Sequence, residues 1–313
     1  MSSPATIRTV AIVGTTGNLG KLVTKAMLDT NRLSVTLISR SGSESTLPTD
    51  PSVKIKQGDY SSPAFLADAF AGIEAVVLCL HHTSVPDLEI KLIEGAAAAG
   101  VKWILPTEFG HDSGNEELTR VGILNAKKAG PRKKIEELAE NYPKLRWIGI
   151  INNPWSDFAM KRNMFLIDAK NKTANLLSGG TAKFNTTMMS TTALAIARLL
   201  SLPVLANGGP ALSDYGNKFV YISSFRVSQR DILDSVQGQL ILTGLTHTDV
   251  QDFIDDGPAK LARGDMTAVL NLLMGSLMKG GLGGDYESKK GTRNAVLGLP
   301  KENLDETVKA LLQ

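Results

Sequence analysis

The chain has 313 residues, 42% of them apolar and 21% charged, with a formal net charge of +3 at pH 7. That length can bury a proper core in one large domain or two modest ones, and so small a charge argues against nucleic acid or an anionic membrane as partner. A single cysteine, Cys79, allows no internal disulfide, no apolar stretch approaches a membrane span, and residues 1–9 lack a signal-peptide core, so the cytoplasm is the expected compartment.

The first element is an apolar strand, VAIV at residues 10–13, running into GTTGNLG at 14–20 and a helical stretch at 21–28. Strand, glycine turn and helix in that order let backbone N–H groups approach a pyrophosphate at a helix N-terminus. Gly14 serves the tight turn, Gly17 the close approach, and Gly20 helix–strand packing, with Thr16, Asn18 and Leu19 as further cofactor contacts. A second strand at 34–39 ends in Arg40 rather than in a carboxylate. An acidic residue there binds the ribose 2′-hydroxyl, whereas an arginine accommodates a 2′-phosphate, so NADPH is the expected cofactor.

Strands are predicted at 53–57, 74–80, 101–105 and 146–151, and helices at 61–71, 87–99 and 126–141. Residues 111–125 read as a polar connection, and Gly130-Pro131 as a place where the last of these helices kinks or restarts. Strands alternating with helices argue for a parallel sheet covered on both faces. Cys79 lies in one of these buried strands and reads as a small hydrophobe rather than a nucleophile.

Beyond residue 155 the alternation fades. A short hairpin is predicted over 176–187, helices at 191–200, 229–240, 247–255 and 266–278, and a strand at 219–223. Residues 280–284, GGLGG, read as the most mobile loop. The expected fold is therefore α/β: a Rossmann-type doubly wound parallel sheet with a smaller mixed α/β C-terminal substrate lobe. The nucleotide domain spans 1–155 and is rejoined by about 184–224, and 156–313 form mainly the substrate lobe. Ligands of such sheets sit beyond the carboxyl ends of the strands.

Four segments, GTTGNLG at 14–20, LPTEFG at 105–110, KAGPRKKIE at 128–136 and INNPW at 151–155, together resemble the NmrA-like, isoflavone-reductase-like branch of the atypical short-chain dehydrogenases, in its fungal-type form. The tail, LGLP at 297–300 and the residues after it, is similar to that family's closing strand and helix. The resemblance implies an NADPH-dependent reductase of a small aromatic or polyketide-like molecule, of the kind used in secondary metabolism. It implies Lys128 as the catalytic proton donor, with Lys127 as the one-residue alternative, and Arg132 on the cofactor phosphate. Pro106, Thr107, Phe109 and Asn153 then line the nicotinamide side, together with His81.

His82, Glu108, Trp155 and Phe158 are the expected substrate contacts, with His111 a further polar group at the cleft. Met160, Met164 and Phe165 read as core or as part of an apolar substrate wall. Adjacent histidines without a carboxylate or cysteine partner make no metal site. Tyr286 and Lys290 carry a Tyr-x-x-x-Lys spacing, but lie far too late in the chain for the tyrosine-dependent dehydrogenases and read as coincidence. A small-molecule substrate is the expected partner, and a homodimer is left open. The other functional class compatible with these motifs is a non-catalytic dinucleotide sensor that regulates a partner protein; a proton donor at Lys128 favours the reductase.

Overall fold

The computed structural model describes residues 5–42, 50–81, 84, 86–121 and 123–313. In chain order the first half runs β1 (Thr9–Val13), α1 (Asn18–Asp29), β2 (Ser34–Arg40), β3 (Lys54–Gly58), α2 (Pro63–Phe70), β4 (Ala75–Leu78), α3 (Asp87–Ala98), β5 (Trp103–Leu105), α4 (Glu116–Val121), α5 (Ile123–Ala139) and β6 (Arg146–Ile151). Local chemistry explains several boundaries. Ser62 caps α2 by accepting from the Phe65 N–H at 3.3 Å, and Pro63 occupies the first turn, where its missing N–H costs nothing. Gly72 and Gly100 adopt positive φ just past the ends of α2 and α3.

The second half runs α6 (Ser156–Lys161), β7 (Ile167–Asp168), β8 (Thr173–Leu177), β9 (Phe184–Thr186), α7 (Met189–Leu200), β10 (Lys218–Tyr221), β11 (Phe225–Val227), α8 (Gln229–Gln237), β12 (Gly244–Thr248), α9 (Val250–Ala262), α10 (Thr267–Met278), α11 (Glu287–Lys290) and α12 (Leu304–Leu312). The main sheet has seven strands in the order β3-β2-β1-β4-β5-β6-β10, and every pairing in it is parallel. This is the Rossmann-type doubly wound sheet, with the strand order reversing direction at β1.

Its strands are apolar on both sides, as a sheet covered twice requires. Val10, Ile12, Val35, Leu37, Val77, Leu105 and Ile150 face one core, shared with α1 and α7. Ala11, Val13, Ile38, Val76, Leu78 and Ile104 face the other, which holds residues of α2, α3 and α5. A third core belongs to the smaller C-terminal lobe, where Phe165, Leu176, Phe184, Ile232, Met274 and Leu277 pack between short sheets and helices. β10 and α7 therefore return to the main sheet after the chain has begun the second lobe.

Several expectations are corrected. No hairpin forms over 176–187: β8 pairs antiparallel with β7 and parallel with β12, while β9 pairs with β11. The sequence shows two nearby strands, but the pairing of β9 with β11 and of β8 with β12 joins residues 39 to 71 positions apart. His247 lies in β12, and the helix starts at Val250, where the Asp249 carboxylate caps it. Residues 297–298 lie in a turn and 299–300 are irregular, so no strand forms there. Residues 116–121 of the expected connection are helical, and α5 continues through Pro131 without a break. Met160, Met164 and Phe165 join the core of the C-terminal lobe.

Candidate active site

Register brings the candidate residues to one edge. Val13 pairs with Ile38 and with Leu78, Val77 with Leu105, and Tyr221 with Ile151. The segments leaving β1, β2, β4, β5, β6 and β10 therefore emerge side by side at the carboxyl edge of the sheet. These are the glycine turn, Arg40, Cys79 to His81, Pro106 to Gly110, Asn152 to Trp155, and Ile222.

The glycine turn fits a dinucleotide on steric grounds. Gly14 has φ +83°, and a Cβ there would lie 2.2 Å from the Cys79 carbonyl oxygen. A Cβ on Gly20 would lie 2.2 Å from the Gly14 oxygen. Gly17 differs: it is exposed, its φ is −70°, and a Cβ there would meet only the Gly14 oxygen at 3.3 Å. No side chain caps α1 and no acidic residue sits in its first turn, so the positive end of the helix is open at Gly17, Asn18 and Leu19. Thr15 adds a buried hydroxyl without a partner. Thr16 is partly buried, Asn18 is exposed, and Leu19 is anchored in the core. Arg40 stands exposed at the end of β2. These groups suit a phosphate-bearing nucleotide.

A compact charged cluster lies two strands over from β1, on the loop after β5. Lys128 is partly buried on α5 and donates from Nζ to the Glu108 carbonyl oxygen, whereas Lys127 is exposed. Burial pushes the Lys128 ammonium below the usual lysine range; Glu108 and Glu89 pull it back up, and Arg132 pushes it further down. Arg132 is engaged within the protein. Its Nη1 donates to the Glu108 carboxylate and, at 2.7 Å, to Ser113 Oγ, and its guanidinium lies 5.0 Å from the Phe219 ring centroid. Glu108 is 1% exposed and also accepts from Ser113 Oγ at 2.5 Å, so it pins the loop internally.

Behind that loop lies Glu89, in the first turn of α3, where no sequence motif marks it. It is 1% exposed, and its Oε1 accepts from the Thr107 N–H at 2.6 Å. Thr107 Oγ1 in turn donates to the Leu78 carbonyl at 3.0 Å. Burial raises the Glu89 carboxyl to about 7, against the pull of its Thr107 hydrogen bonds. His111 is buried with Nδ1 unpartnered, and burial, assisted by Lys128, lowers it to about 3, so it is neutral. Burial and then Glu89 push the Cys79 thiol up to about 12, which leaves it unreactive.

The far wall comes from the segment after β6. Asn152 and Asn153 both donate from backbone N–H to the Gly110 carbonyl, at 3.2 and 3.0 Å. Asn153 takes φ +52°, a left-handed conformation that asparagine tolerates. Its Nδ2 donates to the Gly284 carbonyl at 2.8 Å, while its Oδ1 is buried and unpartnered. Trp155 packs edge-on to Phe158 with 6.1 Å between centroids, and these two rings and Phe109 border the α1–α7 core. Pro106 is buried, and Thr107 and Phe109 are partly so. His81 is exposed at the same edge, and His82 lies outside the described residues.

Residues 280–290 are tied down rather than loose. Besides Gly284, the Leu282 carbonyl accepts from Asn115 Nδ2 at 2.9 Å. Lys290 Nζ reaches Asp112 Oδ2 at 2.6 Å and Tyr221 Oη at 2.8 Å. Tyr286 is fully buried and donates its hydroxyl to the Ile222 carbonyl. The Tyr286 and Lys290 spacing thus serves a strap from the C-terminal lobe onto the loop after β5.

Comparison with known proteins agrees with this geometry. Residues 14–148 match the NAD(P)H-binding family. Oxidoreductase aprR of Aspergillus flavus is 28% identical over 97% of this chain and 98% of its own length. The NADPH-dependent quinone oxidoreductase QOR2 of Escherichia coli, solved with NADPH, superposes with a TM-score of 0.70 at 19% identity, over 97% of this chain and all of that one. The pinoresinol-lariciresinol and phenylcoumaran benzylic ether reductase structures give 0.75 at 17% identity, over 98% of this chain and 99% of theirs. The chain has a Rossmann-type fold shared with these reductase structures, and its nucleotide half matches an NAD(P)H-binding family.

Proposed function

We propose that the protein is an NADPH-dependent reductase of a small aromatic or polyketide-like carbonyl or conjugated substrate, with Lys128 as proton donor. The observation that carries this reading is Lys128 itself: a half-buried ammonium fixed above the Pro106–Gly110 loop and lowered toward working pH by burial. Bound NADPH supplies hydride from its nicotinamide ring. The open N-terminus of α1 at Gly17 to Leu19 binds the pyrophosphate, and Arg40 the 2′-phosphate. Thr107, Phe109, His81 and Asn153 hold the nicotinamide side in place.

Reduction of a carbonyl or conjugated system builds negative charge on the acceptor. Lys128 Nζ neutralises that charge and delivers the proton, which a group with a lowered pKa does more readily. Phe109, Trp155 and Phe158 offer flat apolar surface to an aromatic substrate, and Glu108 holds the loop that carries Phe109. Arg132 keeps Glu108 and the Lys128 helix in register rather than meeting the phosphate first.

Isotope transfer tests the reading. The protein is incubated with NADPH deuterated at C4, each face in turn, and a metabolite extract of its own source, and products are read by mass spectrometry. A deuterated product made by the native protein and not by Lys128→Ala supports the reductase. Demonstrated NADPH binding with no labelled product supports the dinucleotide sensor instead.

A further inference from the structure

Three carboxylates are almost wholly buried around the loop after β5: Glu89, Glu108 and Asp112, each 1% exposed. Glu108 is paired with Arg132 and Asp112 with Lys290. Glu89 makes no ion pair among the described residues; its partner is the Thr107 N–H. Three cations face the same loop, and two of them are the partners just named. The third, Lys128, meets only a carbonyl oxygen among the described residues. One buried acid and one half-buried base of opposite sign are left over.

The backbone places these two near each other. Glu89 holds the N–H of Thr107, and Lys128 holds the carbonyl of the next residue, Glu108. α3 packs against α5, and a Cβ on Gly130 would lie 3.7 Å from the Cβ of Pro86, just before α3 begins. The first turn of α3 therefore abuts the turn of α5 that carries Lys128. A buried charge without a counter-charge is costly, and a nearby opposite charge relieves that cost for both partners.

We infer that Glu89 is the positioning residue of Lys128: it supplies the buried counter-charge that keeps the ammonium protonated, and it fixes the Thr107–Glu108 segment on which the ammonium rests. Of the other groups facing Lys128, His111, from the same loop, is neutral and buried, and Arg132, on α5, is a like charge. Glu108 also pulls the ammonium up, but its carboxylate is shared with Arg132 and Ser113, which leaves Glu89 as the acid without an ion pair of its own among the described residues. Burial pushes Lys128 down and Glu89 up, and the attraction between the two opposes both shifts.

The role of Lys128 in reduction rests on the reductase reading, but the coupling is measurable without turnover. Full-length protein is labelled with a trace of acetic anhydride across a pH series, and acetylation of the Lys128 peptide is quantified by mass spectrometry. In Glu89→Gln, which keeps an acceptor for the Thr107 N–H but loses the charge, the Lys128 midpoint falls by about one pH unit, a roughly tenfold gain in reactivity below it. An unchanged midpoint in a natively folded variant overturns the inference.

Should that variant fail to fold, Lys128→Met gives the reciprocal measurement. The Glu89 carboxyl, followed by infrared difference titration, then ionises about one pH unit higher than in the native protein, because its stabilising cation is gone. No upward shift overturns the inference equally. Failure of the reductase reading shows separately, as absent deuterium transfer in the native protein.

Discussion

Arg132 and Glu108 form a buried ion pair, their side chains 12% and 1% exposed, and the guanidinium is enclosed by the rings of Trp147 and Phe219. Breaking such a pair from one side strands the other charge, at a cost of about 3–5 kcal/mol. Glu108→Gln and Arg132→Met should each lower unfolding free energy by an amount of that order in urea titrations. A loss below about 1 kcal/mol would show that the guanidinium has other anchors.

The glycines of the nucleotide turn separate fold from binding. Gly14→Ala forces a side chain into the Cys79 carbonyl at positive φ, and the protein should lose several kcal/mol of stability. Gly17→Ala meets only one oxygen at 3.3 Å, so its melting temperature should stay within a few degrees of native. Its added methyl group nevertheless occupies the path of the phosphate, and NADPH affinity by calorimetry should drop at least about tenfold. Equal loss of stability in the two variants contradicts this division of labour.

Arg40→Ala removes the charge at the end of β2. A charge-assisted hydrogen bond contributes about 1.5–3 kcal/mol, so NADPH binding should weaken roughly tenfold to a hundredfold. NADH binding should hardly change. Parallel losses for both cofactors would remove Arg40 from the 2′-phosphate site.

His111 and Glu89 give opposite pH dependences of stability. His111 falls from 6.5 to about 3 on folding, so the unfolded chain binds more protons in that window, and stability is lost as pH drops through it. Glu89 rises from 4.5 to about 7, so its contribution is present below 4.5 and is lost as pH climbs through 7. Between about 4.5 and 6.5 the two slopes partly cancel. His111→Asn should therefore flatten the acid side of a stability profile, and Glu89→Gln should steepen the rise toward neutrality. Profiles parallel to the native one would refute the assigned directions.

How much of this was legible in the chain depended on the range of the interaction. The strands of the main sheet announce themselves because each is apolar on both faces, and the glycine turn because steric demands sit at fixed offsets. Lys128 was reached through a resemblance; periodicity alone cannot tell it from the exposed Lys127. Glu89 gave no signal, since an acid in the first turn of a helix is ordinary and its burial depends on the loop after β5. Pairing of β8 with β12, and the hold of Lys290 on Asp112, join residues 71 or more positions apart, and no local pattern specifies them.

The strap from the C-terminal lobe has a consequence for synthesis. Residues 282–290 lock the segment after β5, and β10 covers the open side of β6. On the ribosome the first 150 residues emerge with an uncovered β6 edge and an unstrapped loop after β5. The edge waits for β10 at Lys218–Tyr221, and the loop waits for residues 282–290, near the end of the chain. A translation stall between those stages leaves a nascent species exposed to edge-to-edge association, and chaperone capture should peak there.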